Sequence, residues 1–229
     1  MRKFQLLVMA FLMTISAFSQ SIKPNKETIE DYLPLLQACG YKAYSFDISE
    51  FLNDTYQITF KVNEYVDSVG IVNTSTTTFA NRKMISDFPK DVQQRILKEG
   101  TALAPEKNIY AQSDKIIVGF SPTKADSIKT LYLTVEGRGA MRSSLNLKGL
   151  MDPYTNQSIY IYESRPFKID KFEESKFVPL VLFGSFWLDK EYGYFRFCGE
   201  NEMEPDMSTN LIKFLPHYYV IGVEINKVK

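Results

Sequence analysis

Residues 55–62 read TYQITFKV, and no other stretch of the chain restricts the fold so tightly. Tyr56, Ile58, Phe60 and Val62 alternate with Thr55, Gln57, Thr59 and Lys61. A period of two sends successive side chains to opposite faces of a pleated strand, so this segment has one buried face and one wet face. A helix would divide the same four apolar residues between opposite sides. The pattern recurs at Ile116, Val118 and Phe120, at Leu131, Leu133 and Val135, and at Tyr219, Ile221, Val223 and Ile225.

Other segments extend the β reading. The GRG at 137–139 suits a tight turn into a returning strand over 140–147. Ile159 and Ile161 alternate with Tyr160 and Tyr162, and residues 192–198 form another short strand. Residues 178–188 are apolar on both faces apart from Ser185, as in a central strand covered on both sides. The NTSTTT at 73–78 is either an edge strand or a solvated loop. Two helical patterns lie in the first half. Ile29, Tyr32, Leu33 and Leu36 share one face, with Asn25 as cap, Gly40 as stop, and a kink or restart at Pro34. A second helix runs from Pro89 to Glu99, with Ser86 or Asp87 as cap, Val92, Ile96 and Leu97 as its face and Gly100 as stop. No strand–helix–strand alternation follows residue 100, which argues against a parallel sheet. The expected fold is α+β and mainly antiparallel β. It is a sandwich- or barrel-like sheet of roughly eight to ten strands, with two short helices in the N-terminal half.

The first residues carry Arg2 and Lys3, an apolar run over 6–15, and the small Ala17 and Ser19 at −3 and −1 of a cut before Gln20. That is the layout of a cleaved secretory signal peptide, and the apolar run is too short to span a bilayer. Residues 1–19 are therefore read as a signal peptide and 20–229 as one β-rich domain, periplasmic or extracellular, with no membrane span after removal of the signal. The ending AFSQ resembles the signal peptides of exported Bacteroidetes proteins. The whole chain, by length and β-rich composition, resembles the exported Bacteroidetes proteins that carry domains of unknown function. That resemblance assigns no activity and no residue role.

Lysine plus arginine and aspartate plus glutamate both number 27, so the charge is balanced. A balanced chain lacks the electrostatic footprint of a nucleic-acid partner. The single histidine, His217, excludes a multi-histidine zinc site, and a Cys₂His site would consume both cysteines. Its neighbours Pro216 and Tyr218 offer no acid to orient it, so a half-buried side chain with one hydrogen bond is expected. Glu163, Glu173 and Glu174 are the acids nearest aromatic strands, and nothing singles out a carboxylate pair. Glu200, Glu202, Glu204 and Asp206 alternate but lack the EF-hand spacing, and they read as a solvated exit. No residue is assigned as catalytic, metal-ligating or cofactor-binding.

The remaining candidate is FWLDKEYGYFRF at 186–197. Period two separates Phe195 and Phe197 from Tyr192, Tyr194 and Arg196, and the simplest packing puts the phenylalanines in the core. Residues 189–193 form the turn, and Trp187 is read as a mostly buried core residue. The alternative makes Trp187, Tyr192, Tyr194 and Arg196 a ligand-stacking strip for sugar rings. Cys39 and Cys198 are candidates for a disulfide, which export would permit, against the alternative of two separately buried thiols. Asp67-Ser68-Val69 and Asp126-Ser127-Ile128 resemble the Asp-Ser/Thr-aliphatic sequon for O-glycosylation of exported Bacteroidetes proteins, making Ser68 and Ser127 candidate acceptors. These features point to an exported, non-catalytic binding or interaction module, with a glycan or an envelope protein as partner. The alternatives are a glycan-directed hydrolase using two carboxylates and a structural envelope component.

Overall fold

A computed structural model of the chain describes residues 28–67 and 69–228. Residues 1–19, read above as a signal peptide, and Gln20, Asn25 and Ser68 lie outside the described residues. The chain divides after Leu35 into two compact units. Helix α1 (Ile29–Ala38) crosses that boundary, with Thr28 and Asp31 forming its N-terminal turn through a 2.7 Å bond from the Thr28 N–H to Asp31 Oδ2. Pro34 neither breaks nor restarts this helix. All ten residues are exposed, so water can satisfy the Glu30 carbonyl that Pro34 leaves without a donor.

The second unit carries the sheets. In chain order its strands are β1 (Lys42–Asp47), β2 (Tyr56–Val66), β3 (Val69–Ala80), β4 (Arg82–Met84), β5 (Ile109–Gln112), β6 (Lys115–Ser121), β7 (Ile128–Val135) and β8 (Gly139–Asn146). Then come β9 (Leu150–Met151), β10 (Ser158–Ile159), β11 (Tyr162–Pro166), β12 (Phe177–Ser185), β13 (Trp187–Asp189), β14 (Tyr194–Arg196) and β15 (His217–Lys227). A four-stranded sheet has the order β1-β6-β7-β8 and a five-stranded sheet the order β11-β12-β15-β2-β3. Three two-stranded ribbons, β4-β5, β9-β10 and β13-β14, complete the set among the described residues. Every named strand pairing is antiparallel. The architecture is sandwich-like, with no closed barrel. The Thr-rich stretch is an edge strand, β3, and no boundary between units falls at residues 100–105.

Helix α2 (Lys90–Glu99) ends where the sequence says it should, with Gly100 at φ 63° in the left-handed region that glycine adopts without penalty. Its start differs. Asp87 accepts the Met84 N–H at 2.9 Å and closes a separate 3₁₀ turn over Ile85–Asp87 before Pro89 opens the helix. Ile96 is the one buried residue of the helix, while Leu97 is exposed.

The period-two residues build the main core. Ile58, Phe60 and Val62 of β2, and Tyr219, Ile221, Val223 and Ile225 of β15, meet Ile116, Val118 and Phe120 of β6 and Leu131, Leu133 and Val135 of β7. Phe120 and Phe183 stack across the two sheets, with ring centroids 4.9 Å apart. Side chains lace one margin: Tyr44 of β1 donates its hydroxyl to the Ser164 carbonyl of β11 at 3.0 Å. At the other margin, Thr77 of β3 donates to the Met141 sulfur of β8.

A second core lies on the opposite face of β12 and β15, where Leu182, Tyr218 and Val220 pack with Phe167, Phe197, Met203, Leu211, Ile212 and Leu215. This explains why residues 178–185 are apolar on both faces. It also corrects two expectations. The apolar run over 178–188 is two strands, because the chain leaves the ladder at Phe186 and begins the β13-β14 hairpin at Trp187. The acidic segment is anchored rather than fully solvated. Met203 is fully buried, its N–H bonds the Pro166 carbonyl at 2.8 Å, and its carbonyl accepts the Lys168 N–H at 2.9 Å. The acids flank an apolar anchor.

Candidate functional site

The ladder of the β13-β14 hairpin pairs Trp187 with Arg196, Leu188 with Phe195, and Asp189 with Tyr194. Cross-strand partners share a face, and so do residues two apart on one strand. Trp187, Asp189, Tyr194 and Arg196 therefore stand on one face, and Leu188 and Phe195 on the other. Phe197 is buried in the second core while Tyr192 and Tyr194 are 59% and 47% exposed, so the phenylalanine–tyrosine separation expected from period two holds for Phe197 and both tyrosines.

Asp189 organises the turn. Its Oδ1 accepts the N–H groups of Glu191 and Tyr192 at 3.0 and 3.2 Å, and its carbonyl accepts the Gly193 N–H at 2.8 Å. Gly193 has φ 71°, which this turn requires. Asp189 also forms an ion pair with Arg196. The Arg196 guanidinium lies 5.0 Å from the Tyr192 ring centroid and 4.9 Å from that of Tyr194, and Nη2 donates to the Tyr194 hydroxyl at 2.6 Å. A planar cation held against two rings and an acid loses little further rotamer entropy when it binds something else.

Two residues with no local sequence signal enlarge this face. Phe214, at the end of the 3₁₀ turn over Asn210–Phe214, stacks on Trp187 with centroids 5.3 Å apart and planes 21° apart, and it is 57% exposed. Tyr154, 80% exposed, donates its hydroxyl to the Gly193 carbonyl at 2.9 Å. Trp187 is half-buried, not enclosed, because β13 has already left the central sheet. The structure thus gathers all four stacking candidates, Trp187, Tyr192, Tyr194 and Arg196, at one hairpin.

The sole histidine is not at this face. His217 is fully buried at the start of β15 and makes two side-chain hydrogen bonds, one more than expected. Its Nε2 lies 2.8 Å from Glu64 Oε1, and its Nδ1 meets the Tyr162 hydroxyl. A carboxylate only accepts, so Nε2 carries the proton and Nδ1 accepts from Tyr162. The Tyr162 oxygen in turn accepts the Lys148 N–H at 2.9 Å. Burial lowers the His217 pKa from its ordinary value, opposed by the hydrogen bond to Glu64. Burial likewise raises the Tyr162 and Tyr219 hydroxyls well above their ordinary value. A neutral imidazole between two fixed partners plugs the end of the main core.

The family described as a domain of unknown function, DUF5041, matches residues 11–227. The chain belongs to that family. No curated protein and no solved structure matches it. In this DUF5041 domain Cys39 and Cys198 are unbridged and both exposed. Ser127 lies half-exposed in the turn that leads into β7. No helix among the described residues is long and apolar enough to cross a membrane. Among the described residues, no group of three or more histidine, cysteine, aspartate or glutamate side chains is arranged to hold a metal ion.

Proposed function

We propose that this DUF5041 domain is an exported, non-catalytic binding module that takes a glycan on the β13-β14 hairpin face. The observation that carries the reading is the Arg196 guanidinium held against the exposed, adjacent rings of Tyr192 and Tyr194, on the same face as Trp187. Aromatic rings offer flat apolar faces to the C–H faces of sugars, and a fixed guanidinium offers donors to their hydroxyls. Tyr192 and Tyr194 belong to neither core, and Trp187 packs only at the margin of the second. Of the three acids nearest the aromatic strands, Glu163 is paired with Lys42 at 2.7 Å, Glu173 with Lys176, and Glu174 accepts the Lys227 N–H at 3.1 Å, which suits structural carboxylates better than halves of a hydrolytic pair.

The test titrates the chain with soluble cello-, xylo-, manno- and chitohexaose while following Trp187 fluorescence and its quenching by iodide. One of these series is expected to shift the emission and protect the indole. Tyr194→Ala and Arg196→Ala are expected to weaken that response about tenfold or more, the scale of a lost charged hydrogen bond or stacking contact. A Trp187 signal unmoved by all four series overturns the reading. Export is tested by the intact mass of protein recovered outside the cytoplasm, which is expected to match a chain beginning at Gln20. Recovery of uncleaved Met1 overturns it.

A further inference from the structure

A cleft of about 370 Å³ opens beside the margin where β1 meets β11, lined by Gln37, Tyr41, Lys42, Lys129, Glu163 and Phe183, among others. It shares no lining residue with the hairpin face, so it stands or falls independently of the glycan reading. Its size lies at the low end of the ~300–1,000 Å³ typical of ligand pockets, enough for a monosaccharide-sized molecule.

The polar groups of the cleft are only partly satisfied. An ammonium has three donors. Lys129 Nζ uses one on the Gly40 carbonyl at 2.9 Å. Lys42 Nζ uses two, on Glu163 Oε1 at 2.7 Å and on the Ser164 carbonyl at 3.1 Å. Glu163 Oε1 also accepts the Ser164 N–H at 2.8 Å, while Oε2 has no hydrogen bond among the described residues. Two lysines against one glutamate leave the cleft with a formal charge of +1. Burial lowers the Lys129 pKa, partly offset by the charge of Glu163. An anion against that ammonium would restore what burial removes. The apolar lining is aromatic: Phe120 and Phe183 stack at 4.9 Å, Tyr162 leans on Phe183 at 5.2 Å, and Tyr41 stands 46% exposed at the rim.

A ligand that satisfies this inventory has one carboxylate for Lys129, hydroxyl donors for Glu163 Oε2, and a compact ring with a C–H face for the aromatic wall. A neutral sugar leaves the Lys129 charge uncompensated, and a bare carboxylate leaves the wall and Glu163 unused. We propose that the cleft between β1, β7 and β11 is a binding site for a hydroxylated monocarboxylic acid of the hexuronate class.

The experiment is calorimetric titration of the chain with glucuronate, glucose and acetate. Glucuronate is expected to bind about tenfold or more tightly than either control, since each lacks one of the two matched elements. Lys129→Met, which keeps the length of the stem and removes the charge, is expected to reduce glucuronate binding to the level of glucose. Tyr41→Ala, at an exposed position that leaves the fold intact, is expected to weaken it as well. Lys129→Arg is expected to retain most of the binding, which separates lost charge from lost structure. The proposal is overturned by glucuronate binding no tighter than glucose or acetate. It is equally overturned by unchanged glucuronate affinity in Lys129→Met or in Tyr41→Ala.

Discussion

The imidazole of His217 lies 2.8 Å from the carboxylate of Glu64, and its other nitrogen meets the hydroxyl of Tyr162. The three side chains come from β15, β2 and β11 of the same sheet, so the contact ties its centre to its edge. The imidazole is the shared member, and removing it takes a hydrogen bond from both Glu64 and Tyr162. His217→Phe keeps the bulk but takes the imidazole away from Glu64 and leaves Tyr162 only its bonds to the Lys148 backbone. It should cost about 3 kcal/mol, which a denaturant melt would measure. A wild-type-like midpoint would show that water replaces the lost partners.

The same contact gives stability a pH dependence. The folded pKa of His217 lies below its ordinary value of 6.5, so the unfolded chain binds the extra proton first. A depressed pKa makes a contribution that is present above 6.5 and declines as pH falls below it. Melting temperature should therefore drop between about pH 6.5 and pH 5, before the carboxylates titrate. His217→Gln should melt lower throughout but stay flat across that window. Equal slopes for both proteins would assign the effect elsewhere.

Phe183 is buried on β12 between Phe120 and Tyr162 and belongs to the main core. Phe183→Ala should cost about 3–5 kcal/mol, the range for an aromatic deleted from a packed interior. A loss under about 1 kcal/mol would mean that the two sheets close up over the gap.

Trp187 should behave differently. It is half-buried and rests on the exposed ring of Phe214. Trp187→Ala should cost about 1–2 kcal/mol, below the cost of a core aromatic. Iodide should reach the indole in the free protein. A blue-shifted, unquenchable emission would place it in an interior instead.

Lys42 and Glu163 bridge β1 and β11 at 2.7 Å, yet both side chains remain 38% exposed. Solvent screening limits such a pair, and Lys42→Met should lower stability by less than about 1 kcal/mol. Added salt should narrow the difference between the two proteins. A gap of several kcal/mol, insensitive to salt, would contradict a screened pair.

Alternation at 55–62, 116–120, 131–135 and 219–225 was sufficient to name the strands of the main core and their inward residues, because side-chain period is a property of the local backbone. Gly100 as a helix stop, and Phe197 inside with Tyr192 and Tyr194 outside, were legible for the same local reason. Tertiary structure decided the rest. The run over 178–188 looks uniform in sequence, yet the chain leaves the ladder at Phe186, and Phe186 and Trp187 pack at the margin of a second core whose buried residues lie between Phe167 and Val220. Met203 hides among acids, Phe214 reaches Trp187, and Glu64 finds His217 across 153 positions. No local pattern records such pairings, because they form only when distant segments compete for the same buried surface and the same hydrogen bonds.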